Sequence, residues 1–227
     1  MNKYEQKIKN GERLTNRELS SYYNYKHPRV EIKYYGRGLA NNLGRIVCDV
    51  SNYLMPGDFM VKHIVHEILD IDLKDDHDEK VDKIQKWVCQ NLKYAYDSTI
   101  SGYVEHWQFP FESIQLGYGD CEDGAFLITS LMLAAGIPRW RVRVAAGLVR
   151  TGNPTAPTGG HGWACYLRES DNKWVPVDWC YYPDMAPTAK KVTLKENRNY
   201  IDTWFSFNDR LSWGNKSFEF LSIKELV

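Results

Sequence analysis

Three residues in this chain have the types, order and surroundings needed for acyl transfer on a thiol: Cys121, His161 and Asp178. Cys121 lies in Gly119-Asp120-Cys121-Glu122-Asp123, directly ahead of the apolar run from Ala125 to Ala135. The spacing puts it at the first turn of a helix, where unsatisfied N–H groups and the helix dipole favour thiolate over thiol. Its three acidic neighbours push the other way, so the sulfur needs an imidazole partner to become a nucleophile. His161, in Gly160-His161-Gly162-Trp163, has that imidazole. Asp178, in Trp174-Val175-Pro176-Val177-Asp178, has the carboxylate that would orient it. Taken singly each has a plain alternative: a buried small hydrophobe, a loop histidine and a strand-end cap. Their joint placement is what points to catalysis.

The elements that must position them follow from periodicity and punctuation. Thr15-Asn16-Arg17-Glu18 is a capping box for a helix through Tyr23. Val30 to Tyr35 alternates like a strand, and Gly57 to Leu69 has a helical period. Asp70 to Asp78 reads as an acidic, solvated hinge without the spacing of an EF-hand calcium loop. A helix follows from about Asp78 to Leu92, then an irregular aromatic stretch over Lys93 to Gly119. The helix opening at Cys121 ends at Gly136 and Pro138. From Trp140 the pattern turns to strands, with Arg141 and Arg143 expected on an exposed face. Thr151 to Gly160 is a loop, expected to border the site. A turn at 169–172 makes a hairpin that pairs Arg168 with Lys173 and brings His161 within about two residues of facing Asp178. Two further strands are expected at Tyr200 to Phe207 and Phe218 to Ile223. The order is α+β: a nucleophile-bearing helix packed on an antiparallel sheet. Residues 1–78 read as a mostly helical extension and 79–227 as the core with its C-terminal strands.

These motifs carry a family resemblance. Gly119-Asp120-Cys121-Glu122-Asp123, Ala135-Gly136-Ile137-Pro138, Gly160-His161-Gly162-Trp163 and Trp174-Val175-Pro176-Val177-Asp178 resemble the transglutaminase-like superfamily. Ile84-Gln85-Lys86-Trp87-Val88, Tyr94, Tyr96-Asp97 and Trp107-Gln108-Phe109-Pro110 are similar to its bacterial members. The resemblance implies a papain-like core with Cys121 as nucleophile, His161 as general base and acid, and Asp178 as the orienting residue. It also implies a polar or Trp residue upstream of the nucleophile at the oxyanion. Gln108 is the better candidate, acting with the Cys121 N–H, and Trp107 is the alternative. Trp107, Gly160 and Trp163 are expected to contact substrate. The chain departs from the usual motif in having Gly162 where Ala follows the Gly-His pair. It also lacks the large additional domains of animal cross-linking enzymes, which weighs against calcium-activated cross-linking.

Bulk properties narrow the function classes. The 227 residues carry 29 basic and 29 acidic side chains, so no global field favours nucleic acid. The N-terminus is polar and no apolar run reaches membrane-spanning length, which reads as cytoplasmic with no membrane partner. Five cysteines without C-x-x-C spacing read as free thiols, with a Cys165–Cys180 disulfide conditional on register. His63, His66 and His77 lack a third ligand of clear spacing, so neither metal nor cofactor is expected. The leading expectation is a thiol peptidase or amidase acting on a protein or peptide. Transamidation of protein glutamine is the second, and a silent assembly or binding module, docking through the N-terminal region or the C-terminal tail, is the third.

Overall fold

The helix that begins at Cys121 is the central strut of the protein, and it is buried nearly all round. The computed structural model describes residues 2–27, 29–37, 45–103 and 105–214. In chain order it contains α1 (Lys3–Lys9), α2 (Asn16–Tyr25), β1 (Lys33–Arg37), β2 (Arg45–Asp49), α3 (Phe59–His63) and α4 (His77–Asn91). Then come β3 (Lys93–Tyr94), α5 (Asp97–Ile100), α6 (Pro110–Leu116), β4 (Tyr118–Gly119) and α7 (Cys121–Ala134). Strands β5 (Val142–Arg150), β6 (Thr158–Leu167), β7 (Trp174–Val177), β8 (Tyr200–Phe207) and β9 (Ser212–Gly214) complete it. The five form one antiparallel sheet in the order β7-β6-β5-β8-β9, so the architecture is α+β as expected.

Alternation along β5 explains how one sheet serves two cores. Val142 packs with Leu127, Ile128 and Leu131 of α7, Val81, Ile84 and Val88 of α4, and Val61, Ile64, Val65 and Ile71. Ala145 and Val149 face the other way, where β6 adds Trp163 and Cys165 and α2 closes the layer with Leu19, Tyr22 and Tyr23. The expected exposed arginine face is therefore absent: Arg141 and Arg143 are both buried. Arg143 lies over Trp213 at 3.8 Å and Trp174 at 5.1 Å and donates to the Tyr23 carbonyl at 2.7 Å. Aromatic faces and a backbone carbonyl replace the water that a buried guanidinium gives up. Arg141 donates to the Leu167 carbonyl at 2.8 Å.

Other expectations were met or corrected locally. The capping box at Thr15 forms, with Glu18 reaching back to the Thr15 N–H. The 57–69 helix divides into α3 and a π-helical turn over Ile64–Ile68. Residues 93–119 are not irregular: Pro110 starts α6 and Glu112 accepts the Phe109 N–H, while β3 and β4 make a two-residue parallel pair. Gly136 (φ 81°) ends α7, and the buried Lys80 ammonium caps its Ala135 carbonyl. Strand β6 starts at Thr158, so the 151–160 loop is shorter than expected. The hairpin register is the expected one, with Ala164 opposite Val177 and Arg168 bonded to Lys173. Cys165 faces Pro176, and it and Cys180 are free thiols. The strand expected at 218–223 lies outside the described residues. Among those described, no helix is long and apolar enough to cross a membrane.

Candidate active site

The register of β6 against β7 carries His161 past the end of β7 to the segment that holds Asp178. His161 Nε2 lies 2.7 Å from Asp178 Oδ2, with both side chains almost wholly buried. Burial pushes the Asp178 carboxyl up, but the His161 and Tyr200 bonds more than offset it and hold the group below its ordinary value. An ionised Asp178 only accepts, so Nε2 carries the proton and Nδ1 is left as the basic nitrogen.

Asp178 is itself held on every side. Tyr200 Oη donates to Oδ2 at 2.7 Å, and the N–H groups of Cys180 and Tyr181 donate to Oδ1 at 3.2 and 3.3 Å. Its backbone carbonyl accepts from Gln85 Nε2 of α4 at 2.7 Å. The His161 ring stacks on Trp163 at 5.8 Å and meets Tyr181 at 5.0 Å. Trp163 is fully buried, so its contact is with the imidazole from beneath.

Cys121 stands at the first residue of α7, as its spacing required. Strand β6 lies against the start of α7 at Gly162, one residue after His161, and this brings the histidine strand beside the Cys121 turn. A Cβ at Gly162 would lie 3.1 Å from Glu122 Cα, which explains glycine where the usual motif has alanine. Trp179 Nε1 donates to the Cys121 carbonyl at 3.2 Å, fastening the residue after Asp178 to the start of α7. That indole lies so close to Gly124 that any Cβ there would fall 2.1 Å from Nε1.

The thiol donates to Glu122 Oε2 at 3.0 Å. Burial, then the charges of Glu122 and Asp120, raise it well above the ordinary thiol value, against the opposing pull of the Gly162 N–H. Two of the acidic neighbours, Glu122 and Asp123, are themselves buried. Asp97, Asp120 and Asp123 each bring an oxygen within 4.8 Å of the others, and Asp97, Glu105 and Glu122 form a second such group. Burial, with the Asp120 charge second, raises Asp97 to about 7 and lifts Glu122 and Asp123 well above the carboxylate range. Asp97 Oδ1, Asp120 Oδ1 and Glu122 Oε1 are buried without a hydrogen-bond partner. Sequence reading missed this cluster because Asp97 arrives from 24 positions upstream of Cys121, through the short α5.

Gln108 is buried beside α7, its N–H donating to Asp123 Oδ1 at 2.8 Å and its side-chain oxygen accepting from Ser113 at 3.3 Å. Its Nε2 is buried without a partner. Trp107 is committed elsewhere: its ring stacks on Tyr34 at 4.2 Å and its Nε1 donates to Glu105 at 2.7 Å. Gly160 sits on β6 with the Trp204 ring 3.2 Å from where its Cβ would be.

Residues 63–179 match the sequence model of the transglutaminase-like superfamily. No curated protein sequence matches the chain. Among solved structures it is similar to EGTA-treated Legionella pneumophila LapG, at 20% identity and a TM-score of 0.50, over 78% of this chain and 89% of that one. The calcium-bound form of the same L. pneumophila protein is similar at 22% identity and a TM-score of 0.51, over 70% and 80%. Likeness at these identities shows the fold.

Proposed function

The chain belongs to the transglutaminase-like superfamily, and from that premise we propose that it is a cysteine-dependent hydrolase of peptide or amide bonds. The observation that carries the reading is the 2.7 Å His161–Asp178 bond on the strand whose next residue, Gly162, packs against Glu122 beside Cys121. In this reading the Cys121 thiol exchanges its resting partner, Glu122 Oε2, for the imidazole. His161 takes the thiol proton as Sγ attacks the carbonyl carbon, then gives that proton to the leaving amine as the C–N bond breaks. Water, deprotonated by His161, opens the thioester and restores the thiol. The tetrahedral oxyanion is met by the Cys121 N–H and by Gln108 Nε2, whose lack of a resting partner supports this role. A donor of this kind contributes about 3–4 kcal/mol to the transition state.

The carboxylate cluster supports a bound calcium ion as a second element of this reading. Several buried carboxylates crowded together are costly when ionised, and three of their oxygens lack a hydrogen-bond partner. All-oxygen donors of this kind suit a hard cation, and one of the similar L. pneumophila LapG structures is calcium-bound. Asp97 and Asp120 would hold the ion, with Asp123 and Glu122 beside them. The ion would neutralise these charges and fix the 97–120 segment against α7. This reading replaces the expectation of no metal.

The test is a peptide library drawn from proteolysed bacterial protein, with calcium present and a fluorescent amine as competing acceptor. New N-termini made by the wild type and not by Cys121→Ala support hydrolysis. Amine incorporation in their place moves the assignment to transamidation. Neither product, with folded protein, leaves the binding-module reading.

A further inference from the structure

Asp178 has one more partner than the orientation of a histidine requires. Its Oδ1 is held by two long backbone bonds, at 3.2 and 3.3 Å, whereas Oδ2 takes two short ones, from His161 Nε2 and Tyr200 Oη, each 2.7 Å. The position of the oxygen that faces the imidazole is therefore set chiefly by those two donors. Tyr200 is well built to hold it. The side chain is only 2% exposed, its ring packs on Trp163 at 5.0 Å and Tyr182 at 6.2 Å, and Trp163 in turn stacks on the His161 ring. A register shift aims it: Leu148 of β5 pairs with Asp202, but Val149 pairs with Tyr200, so β8 spends an extra residue here. Bulges of this kind re-aim side chains beside active sites.

We propose that Tyr200 is a positioning residue for the reacting imidazole. Its hydroxyl pins the shared Asp178 oxygen and so fixes the plane in which His161 meets Cys121. The inference rests on the reading of His161 as the acid–base group. The groups facing the dyad come from every neighbouring element: Glu122 across Gly162 on α7, Gln85 and Cys89 on α4, Cys165 on β6, and Cys180 and Tyr181 beyond β7. None of these donates to Oδ2; among the described residues that oxygen is shared by His161 and Tyr200.

The low-field proton resonance of the His161–Asp178 bond reads this directly, on resting protein without substrate, and Asp178→Asn assigns it by removing it. In Tyr200→Phe, Oδ2 loses a competing donor and accepts more strongly from the imidazole, so the resonance moves to lower field. Cys121 alkylation slows roughly tenfold, the scale of one hydrogen bond to a charged group. Tyr182→Phe, whose hydroxyl bonds the Arg150 carbonyl instead, leaves the resonance in place. An unmoved resonance in folded Tyr200→Phe overturns the inference, and so does slower alkylation with the resonance unmoved. If Tyr200→Phe does not fold, 3-fluorotyrosine at 200 keeps the shape and strengthens the donor. The resonance then moves to higher field, and its failure to move overturns the inference. A chain whose Cys121 proves inert while its resonance responds would lose the catalytic reading and keep the positioning one.

Discussion

At the scale of residues, the proposed mechanism has Asp178 decide which imidazole nitrogen acts. Its Oδ2 fixes the proton on Nε2, so the asparagine variant presents a donor where an acceptor is needed and selects the wrong tautomer. Asp178→Asn should cut turnover roughly a thousandfold or more while leaving the fold in place, measured as kcat alongside a thermal melt. The same carboxylate sets a pH dependence with a definite sign. Its folded value is held below the ordinary 3.8, so its contribution to stability is present above that value and is lost as pH falls through the lower folded one. Melting temperature should therefore fall more steeply as pH drops below the ordinary 3.8 in the wild type than in Asp178→Asn. The placement of Cys121 at a helix start and of His161 beside Asp178 was legible because each sits in a local motif with its own turn or cap. Tyr200 was not, since its role comes from a bulge that no pattern in its own strand announces.

At the scale of elements, the start of α7 is where three segments converge. The β3–β4 pair brings in α5 and Asp97, β6 lies against Glu122 at Gly162, and the Trp179 indole fills the space over Gly124. The hairpin register was readable from its turn, because one residue of slip would have turned every side chain over. Residues 93–119 were harder: α5 and α6 are only 4 and 7 residues long, too short to show a period. Buried Arg143 was misread for a related reason. Alternating charge on a strand looks like a wet face until a second layer, here α2, covers it. The calcium reading belongs to this scale, because its ligands come from α5 and from the turn into α7. Calcium at about a hundred times its dissociation constant should stabilise the fold by about 2.7 kcal/mol, or roughly 5–10 °C in Tm. Asp97→Asn should abolish the shift, and an equal shift in both proteins would remove calcium from this cluster.

At the scale of the whole molecule, the sheet holds the His161–Asp178 pair while the buried helix carries Cys121 at its first residue. The N-terminal segments belong to this arrangement: α2 seals the outer face of the sheet, and Val61 to Ile71 share the core of α7. The proposed reaction requires the Cys121 thiol, which rests on Glu122, to exchange that partner for the imidazole. In the resting position the thiol is suppressed by burial and by Glu122, so reactivity depends on that exchange. The rate of iodoacetamide alkylation at each cysteine near neutral pH, in the wild type and in His161→Ala, measures it. The account predicts that Cys121 reacts at least about tenfold faster than Cys48, Cys89, Cys165 or Cys180, and that His161→Ala removes the advantage. Cys121 reacting no faster than the other four, or equally fast without His161, would contradict it.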